Sequence, residues 1–197
     1  MLEVVIATHN LGKVEEFKSL MDELGITFTC LSDYPPLPEP EETGRTLAAN
    51  ARLKARYYAK ALGKICLADD SGLEVLSLKG APGVRSARYA GEKATDEENN
   101  DLLLANMKMQ VRRNCRFFCA LAMANPEGRI LAESAGICDG ILLHEPHGTN
   151  GFGYDPLFWS TELHKPLGEA TLEEKNGISH RAKAIRKLVN QWKRMNK

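Results

Sequence analysis

The strongest constraint on this 197-residue chain lies near its start. The β-branched run Val4-Val5-Ile6 is followed within a few residues by Asn10 and Gly12, and then by apolar residues at helical spacing. This pattern predicts a short buried strand over 2–7 that turns directly into a helix. That helix carries Val14, Phe17, Leu20, Met21 and Leu24 on one stripe and stops at Gly25. A second strand is expected over 26–30, and the proline-bearing segment 35–40 is a rigid connector. The alternation then recurs: 46–62 places Leu47, Ala51, Ala55, Tyr58 and Leu62 on one helical face with Gly63 as the stop, and 65–68 supplies a third strand.

Further along, Thr95, Asp96 and Glu98 form an N-terminal signature for a helix over 95–107. Segments 116–125 and 129–139 flank Pro126-Glu127-Gly128, the mark of an antiparallel hairpin. Ile185, Leu188, Val189, Trp192 and Met195 close the chain as an amphipathic helix. Early strand–helix alternation followed by an antiparallel pair predicts a mixed α/β fold, with a long mixed central sheet flanked by helices in one domain over residues 1–197.

Lysine plus arginine equals aspartate plus glutamate at 26 each, so the chain offers no overall field to hold nucleic acid or an anionic membrane. Anionic ligands must be small and met locally. The longest apolar stretch, 117–124, is far below the roughly 20 residues of a membrane span, and the expected location is cytoplasmic. Five cysteines without C-x-x-C spacing read as buried thiols, and His144 and His147 as loop residues. Seven lysines or arginines and no acid over 181–197 read as a solvated helix face.

Four places carry candidate chemistry. Asn10-Leu11-Gly12-Lys13 joins a strand to a helix N-terminus, where unpaired N–H groups attract a small anion, although a capped helix start would give the same residues. Asp69-Asp70-Ser71-Gly72 follows the third strand; two adjacent carboxylates there call for a hard cation or else belong to a solvated turn. Successive side chains of an extended chain diverge, so one Asp is expected in the site and the other in the turn. Lys54 shares the apolar stripe of its helix and Asn50 precedes it by one turn, which fits a polar pocket or a lysine reaching past the stripe to water. Finally, Gly151-Phe152-Gly153-Tyr154-Asp155-Pro156 and Ser179-His180-Arg181 combine an aromatic ring with an Arg fork, a pairing that can grip a purine.

Taken together these segments resemble the inosine triphosphate pyrophosphatase family, the non-canonical purine nucleoside triphosphate pyrophosphatases. The resemblance spans nearly the whole chain. It also rests on Glu41-Glu42-Thr43-Gly44, Asn50-Ala51 with Lys54-Ala55, Gly80-Ala81-Pro82-Gly83 and Ser86-Ala87-Arg88-Tyr89. Three positions depart from the family pattern: Ala49 where Glu is usual, Asn150 where Gly is common, and Ala182 where Gly is usual.

The resemblance implies two lobes with a cleft between them, a homodimer, Mg²⁺ as cofactor, and hydrolysis of ITP, dITP or XTP to the monophosphate and pyrophosphate, which cleanses the nucleotide pool. It implies that Thr8, His9, Asn10, Leu11, Gly12, Lys13 and Lys54 hold the triphosphate. Glu42 and Asp70 would hold the metal, Asp70 would be the general base, and Asp69 and Asn50 would stand behind them. Ser71, Phe152, Gly153, Tyr154, Asp155, Lys175, His180 and Arg181 would complete nucleotide recognition. Two rivals use the same residues: a non-catalytic nucleotide-binding module, and a broad phosphatase releasing orthophosphate.

Overall fold

Local signals decide where the helices begin and end. The Asn10 side chain accepts the Lys13 N–H at 2.9 Å and opens α1 (Leu11–Leu24), which stops where Gly25 adopts φ 64°. Thr46 caps α2 (Leu47–Leu62) through the Ala49 N–H, and Gly63 ends it in the same left-handed conformation. Thr95 and Glu98 exchange the two bonds of a capping box at the start of α3 (Asp96–Met107). A second box, Thr171 with Glu174, starts α4 (Leu172–Ile178), a helix that the sequence reading did not anticipate because seven residues show too little periodicity. The final helix, α5, spans His180–Met195.

The coordinates are a computed structural model that describes residues 3–195, so Leu2 of the expected first strand lies outside them, as does the side chain of Met195. Seven strands form one mixed sheet: β1 (Val4–Ile6), β2 (Phe28–Cys30), β3 (Ile65–Val75), β4 (Asn114–Ala124), β5 (Ile130–Leu142), β6 (Phe158–Ser160) and β7 (Lys165–Pro166), in the order β2-β1-β3-β4-β5-β6-β7. β1 pairs in parallel with β2 and β3, whereas β6 pairs antiparallel with β5 and β7. The link from β4 to β5 is a tight turn closed by Asn125 N–H to the Arg129 carbonyl at 3.0 Å, too short for a parallel crossover, so these neighbours form the expected hairpin. β6 and β7 are too short to leave an alternating signature in the sequence.

The residues group into two compact units. The first contains residues up to Asp70, Cys119–Gly136 and those from Arg181 on; the second contains Ser71–Phe118 and Ile137–His180. In the first, Val4 and Ile6 share a core with Phe17, Leu20 and Met21 of α1 and with Ile185 and Leu188 of α5. The alternate residue Val5 is also fully buried, so β1 is covered on both faces, as a parallel central strand requires. In the second, Leu103 and Met107 of α3 pack with Phe117, Leu142, Tyr154 and Phe158. All five cysteines are buried and none is in a disulfide.

One expectation is corrected here. The sequence reading ends the third strand at residue 68 and puts Asp69-Asp70-Ser71-Gly72 in a turn, whereas β3 runs straight through them to Val75. The acids need not turn out to water because each is met by cations inside the protein. Gly72 permits a close approach: a Cβ there would lie 2.2 Å from the Gly83 carbonyl oxygen.

Candidate active site

The segment after β1 is open while the groups behind it are not. His9, Asn10 and Leu11 are exposed and Thr8, Gly12 and Lys13 half-buried. Asn10 donates its own N–H to the Thr8 hydroxyl at 3.2 Å, which shapes the entry to α1. The first N–H groups of a helix have no intrahelical acceptor, so this end presents donors and the positive end of the α1 dipole. Lys13 turns inward from there and its ammonium pairs with Asp69.

Asp69 is the hub of a buried ionic group. Besides Lys13 it accepts from Arg181 Nε at 3.2 Å and from the Cys119 thiol at 3.0 Å, and Arg181 Nη1 donates in turn to Glu16. Arg181 is 1% exposed, with its guanidinium 5.9 Å from the centre of the Phe17 ring. Burial works against its charge, but Asp69 and Glu16 outweigh that and hold its pKa above the ordinary arginine value. Within the basic stretch 181–197, Arg181 is therefore not on a solvated face.

Asp70, the next residue of β3, engages a different partner. Lys54 of α2 donates to Asp70 Oδ1 at 2.7 Å and to Glu42 Oε1 at 2.9 Å, with only 14% of its side chain exposed. The lysine head is thus bound to acids and does not reach past the stripe to water. Burial pushes the Asp70 carboxyl above the usual carboxylate range against the pull of Lys54 and Lys13, and Glu42 adds to the rise. The same burial disfavours the Lys54 ammonium, yet Asp70 and Glu42 prevail and raise its pKa.

Asn50, fully buried one helical turn before Lys54, holds the segment that carries Glu42. Its Oδ1 accepts the Gly44 N–H at 2.8 Å, and a Cβ on Gly44 would lie 2.4 Å from that oxygen. The Asp70 Oδ2 atom is buried without a hydrogen-bond partner. Such an oxygen beside Glu42 suits a hard divalent cation, and these are the residues that fit one. Among the described residues no cluster of three or more His, Cys, Asp or Glu is assembled for a metal ion.

The second unit contains a separate group. Gly151 sits at φ 76° where a Cβ would lie 2.1 Å from Asp155 Oδ2, so the turn closes tightly enough for that oxygen to accept the Phe152 N–H at 3.0 Å. Lys175 pairs with the same carboxylate and its Nζ lies 4.8 Å from the centre of the Phe152 ring. By sequence alone Lys175 looks like a surface lysine; it is 4% exposed. The turn is anchored by Gly153 N–H to Asp96 at 2.6 Å, by Asn100 to the Gly153 carbonyl at 3.1 Å, and by the Tyr154 hydroxyl to the Ser86 carbonyl at 2.8 Å. His180 is buried and stacks on Phe117, with centroids 4.9 Å apart and planes 15° apart. Ser71 is half-buried on β3.

The sequence reading missed Glu16, Phe117, Asn100 and Cys119. Glu16 left one signal, an acid beside Phe17 on the buried stripe of α1, but nothing in the spacing points to a partner 165 residues away.

The Ham1 family model matches residues 4–191 of this chain. The chain is 49% identical over 187 residues to a dITP/XTP pyrophosphatase of Exiguobacterium sp. (strain ATCC BAA-1283 / AT1b), covering 95% of each chain. It is 46% identical over 198 residues to the dITP/XTP pyrophosphatase of Bacillus anthracis, covering 98% of both. Among solved structures, a HAM1 protein from Coxiella burnetii is similar at TM-score 0.87 and 39% identity, over 98% of this chain and 100% of that one. The Staphylococcus aureus Ham1 protein is similar at TM-score 0.85 and 39% identity, over 99% and 100%.

Proposed function

This chain belongs to the Ham1 family, and on that premise we propose that it is a nucleoside triphosphate pyrophosphatase that hydrolyses non-canonical purine nucleotides such as dITP, ITP and XTP to the monophosphate and pyrophosphate. The observation that carries the reading is the Lys54 ammonium between Glu42 and Asp70, beside a buried Asp70 oxygen with no hydrogen-bond partner. It supplies a carboxylate to take a proton, a cation for phosphate and an oxygen pair for a divalent ion.

Glu42 and Asp70 would hold Mg²⁺, which when bound offsets the charge of the triphosphate oxygens. Asp70 accepts a proton from the attacking water, a role for which a carboxyl pKa raised by burial is suited. Thr8 to Lys13 and Lys54 hold the triphosphate, and the charge of the departing pyrophosphate is met by Lys13 and Lys54. Asp69 and Asn50 position Lys13 and the Glu42 segment. Ser71, Phe152 to Asp155, Lys175, His180 and Arg181 recognise the nucleoside. For Arg181 this role requires the guanidinium, bound to Asp69 and Glu16, to turn toward the base, where its donors would suit the acceptor edge of a 6-keto purine and disfavour adenine.

The domain is assigned to residues 1–197, working in the cytoplasm as a homodimer on small nucleotides and on neither nucleic acid nor membranes. The balanced charge supports the exclusion of nucleic acid and anionic membranes as partners, and no helix among the described residues is long and apolar enough to cross a membrane. The deciding experiment incubates the protein and Mg²⁺ with ITP, XTP, GTP and ATP and identifies the released product. Pyrophosphate from ITP and XTP, with GTP and ATP turned over slowly, is expected. Stepwise orthophosphate without base preference would replace the reading with that of a broad phosphatase.

A further inference from the structure

The proposed role of Lys54 in holding phosphate accounts for only part of its setting. Its ammonium lies within 3 Å of both carboxylates assigned to the metal, at 2.9 Å from Glu42 and 2.7 Å from Asp70. The acids are held to it from two sides. Asp70 is fixed on β3, and Glu42 lies on a segment clamped by Asn50 through the Gly44 N–H. Lys13, the other cation of this region, pairs with Asp69 and does not share the arrangement.

We infer that Lys54 is a built-in counterion that keeps divalent metal off the Glu42–Asp70 pair until a triphosphate draws the ammonium away, so that metal enters with the nucleotide and not before it. The inference rests on Glu42 and Asp70 being the metal ligands. With Lys54 in place the two carboxylates carry a net charge of −1 instead of −2, the ammonium occupies one oxygen of each, and a divalent ion that approaches those oxygens is repelled by the ammonium at short range in a poorly solvated place. A triphosphate offers the ammonium several anionic oxygens and so releases both acids. Metal and triphosphate then raise each other's affinity, because each favours the arrangement the other needs. In the empty protein the ammonium also keeps two neighbouring acids from repelling one another.

The test is Mn²⁺ binding by electron paramagnetic resonance on the full chain, without nucleotide and with a non-hydrolysable ITP analogue. Without nucleotide, Lys54→Met should bind Mn²⁺ at least about tenfold more tightly than the wild type. Adding Asp70→Asn or Glu42→Gln to that variant should remove the gain. Lys13→Met, which removes a cation that acts on Asp70 from a distance but is bonded to Asp69, should raise the affinity by clearly less than Lys54→Met does, by less than about threefold.

A Lys54→Met protein with wild-type affinity, or with no bound Mn²⁺, overturns the inference; if Asp70→Asn still weakens wild-type binding, the ligand assignment survives. A gain that persists in both double variants places the ion elsewhere and overturns the assignment together with the inference. An equal gain from Lys13→Met shows a general charge effect and overturns the inference alone. If Lys54→Met fails to melt cooperatively, Lys54→Gln enters the same comparison, and a wild-type Mn²⁺ affinity unaltered by the analogue is by itself enough to overturn it.

Discussion

The two units bury charge by different means. In the first, Lys13, Asp69, Arg181 and Glu16 are joined across separations of 56, 112 and 165 residues, and each bond ties together segments remote in the chain. In the second, Asp155 meets the Phe152 N–H three residues away and the Lys175 ammonium twenty residues away, and an aromatic stack completes the group. A network of remote partners exists only when the whole unit is folded, whereas a short turn with one buried pair is organised largely by its own glycines. The first arrangement therefore links its chemistry to global stability, and the second to local shape.

The largest expected effect separates Asp70 from both networks. Asp70→Asn should lower kcat about 10² to 10⁴-fold, the usual worth of a general base. It should disturb thermal unfolding far less than loss of a whole partner would, because the asparagine oxygen can still accept from Lys54 and the ammonium keeps Glu42. Steady-state kinetics at saturating Mg²⁺ beside a melting curve checks both halves. Retention of more than about a tenth of wild-type kcat would exclude Asp70 as the base.

The next effect tests the comparison directly. Removing one partner from a buried ion pair typically costs about 3–5 kcal/mol, because the remaining charge stays buried without compensation. Arg181→Met removes two buried ion pairs, to Glu16 and to Asp69, the latter keeping Lys13, whereas Lys175→Met removes one, to Asp155. Arg181→Met should therefore lie at or above the upper end of that range in urea unfolding, and Lys175→Met near the lower end. Equal losses would mean that the remote network contributes no more to stability than the local pair.

The same contrast explains what could be read in advance. Alternation of strand and helix, the caps at Asn10, Thr46 and Thr95, and the stops at Gly25 and Gly63 are local signals, so the fold class and most helix limits were legible. The residues with chemical potential were also visible as residue types at motif positions. Their pairings were not, because spacing carries no information on which acid meets Arg181 or where the Lys54 head points. The extension of β3 through Asp69 and Asp70 was hidden for the same reason: adjacent acids look like a turn until their cations are known. Phe117 left no trace as a functional position, since a phenylalanine on a buried strand is usually only core.

Phe117 supplies the smallest effect and the finest test of the second unit. Its ring is nearly parallel to His180 at 4.9 Å and tilted against Phe158 at 4.6 Å, so one side chain supports both His180, proposed to recognise the nucleoside, and the apolar core. Leucine at this position keeps most of the apolar volume but loses the flat face, and stacked ring pairs contribute about 0.5–1.5 kcal/mol beyond their buried area. Phe117→Leu should accordingly cost about 1 kcal/mol in urea unfolding, well below Arg181→Met. If the stack orients His180 toward the base, KM for ITP should rise a few-fold, roughly the same 1 kcal/mol, while kcat stays close to wild type because Asp70 and Lys54 are untouched. A fall in kcat with KM unchanged would mean that His180 acts on the reacting phosphate and not on the base. A stability loss as large as that of Arg181→Met would show that the second unit depends on a single ring as heavily as the first depends on its ionic network, and the proposed contrast between the units would fail.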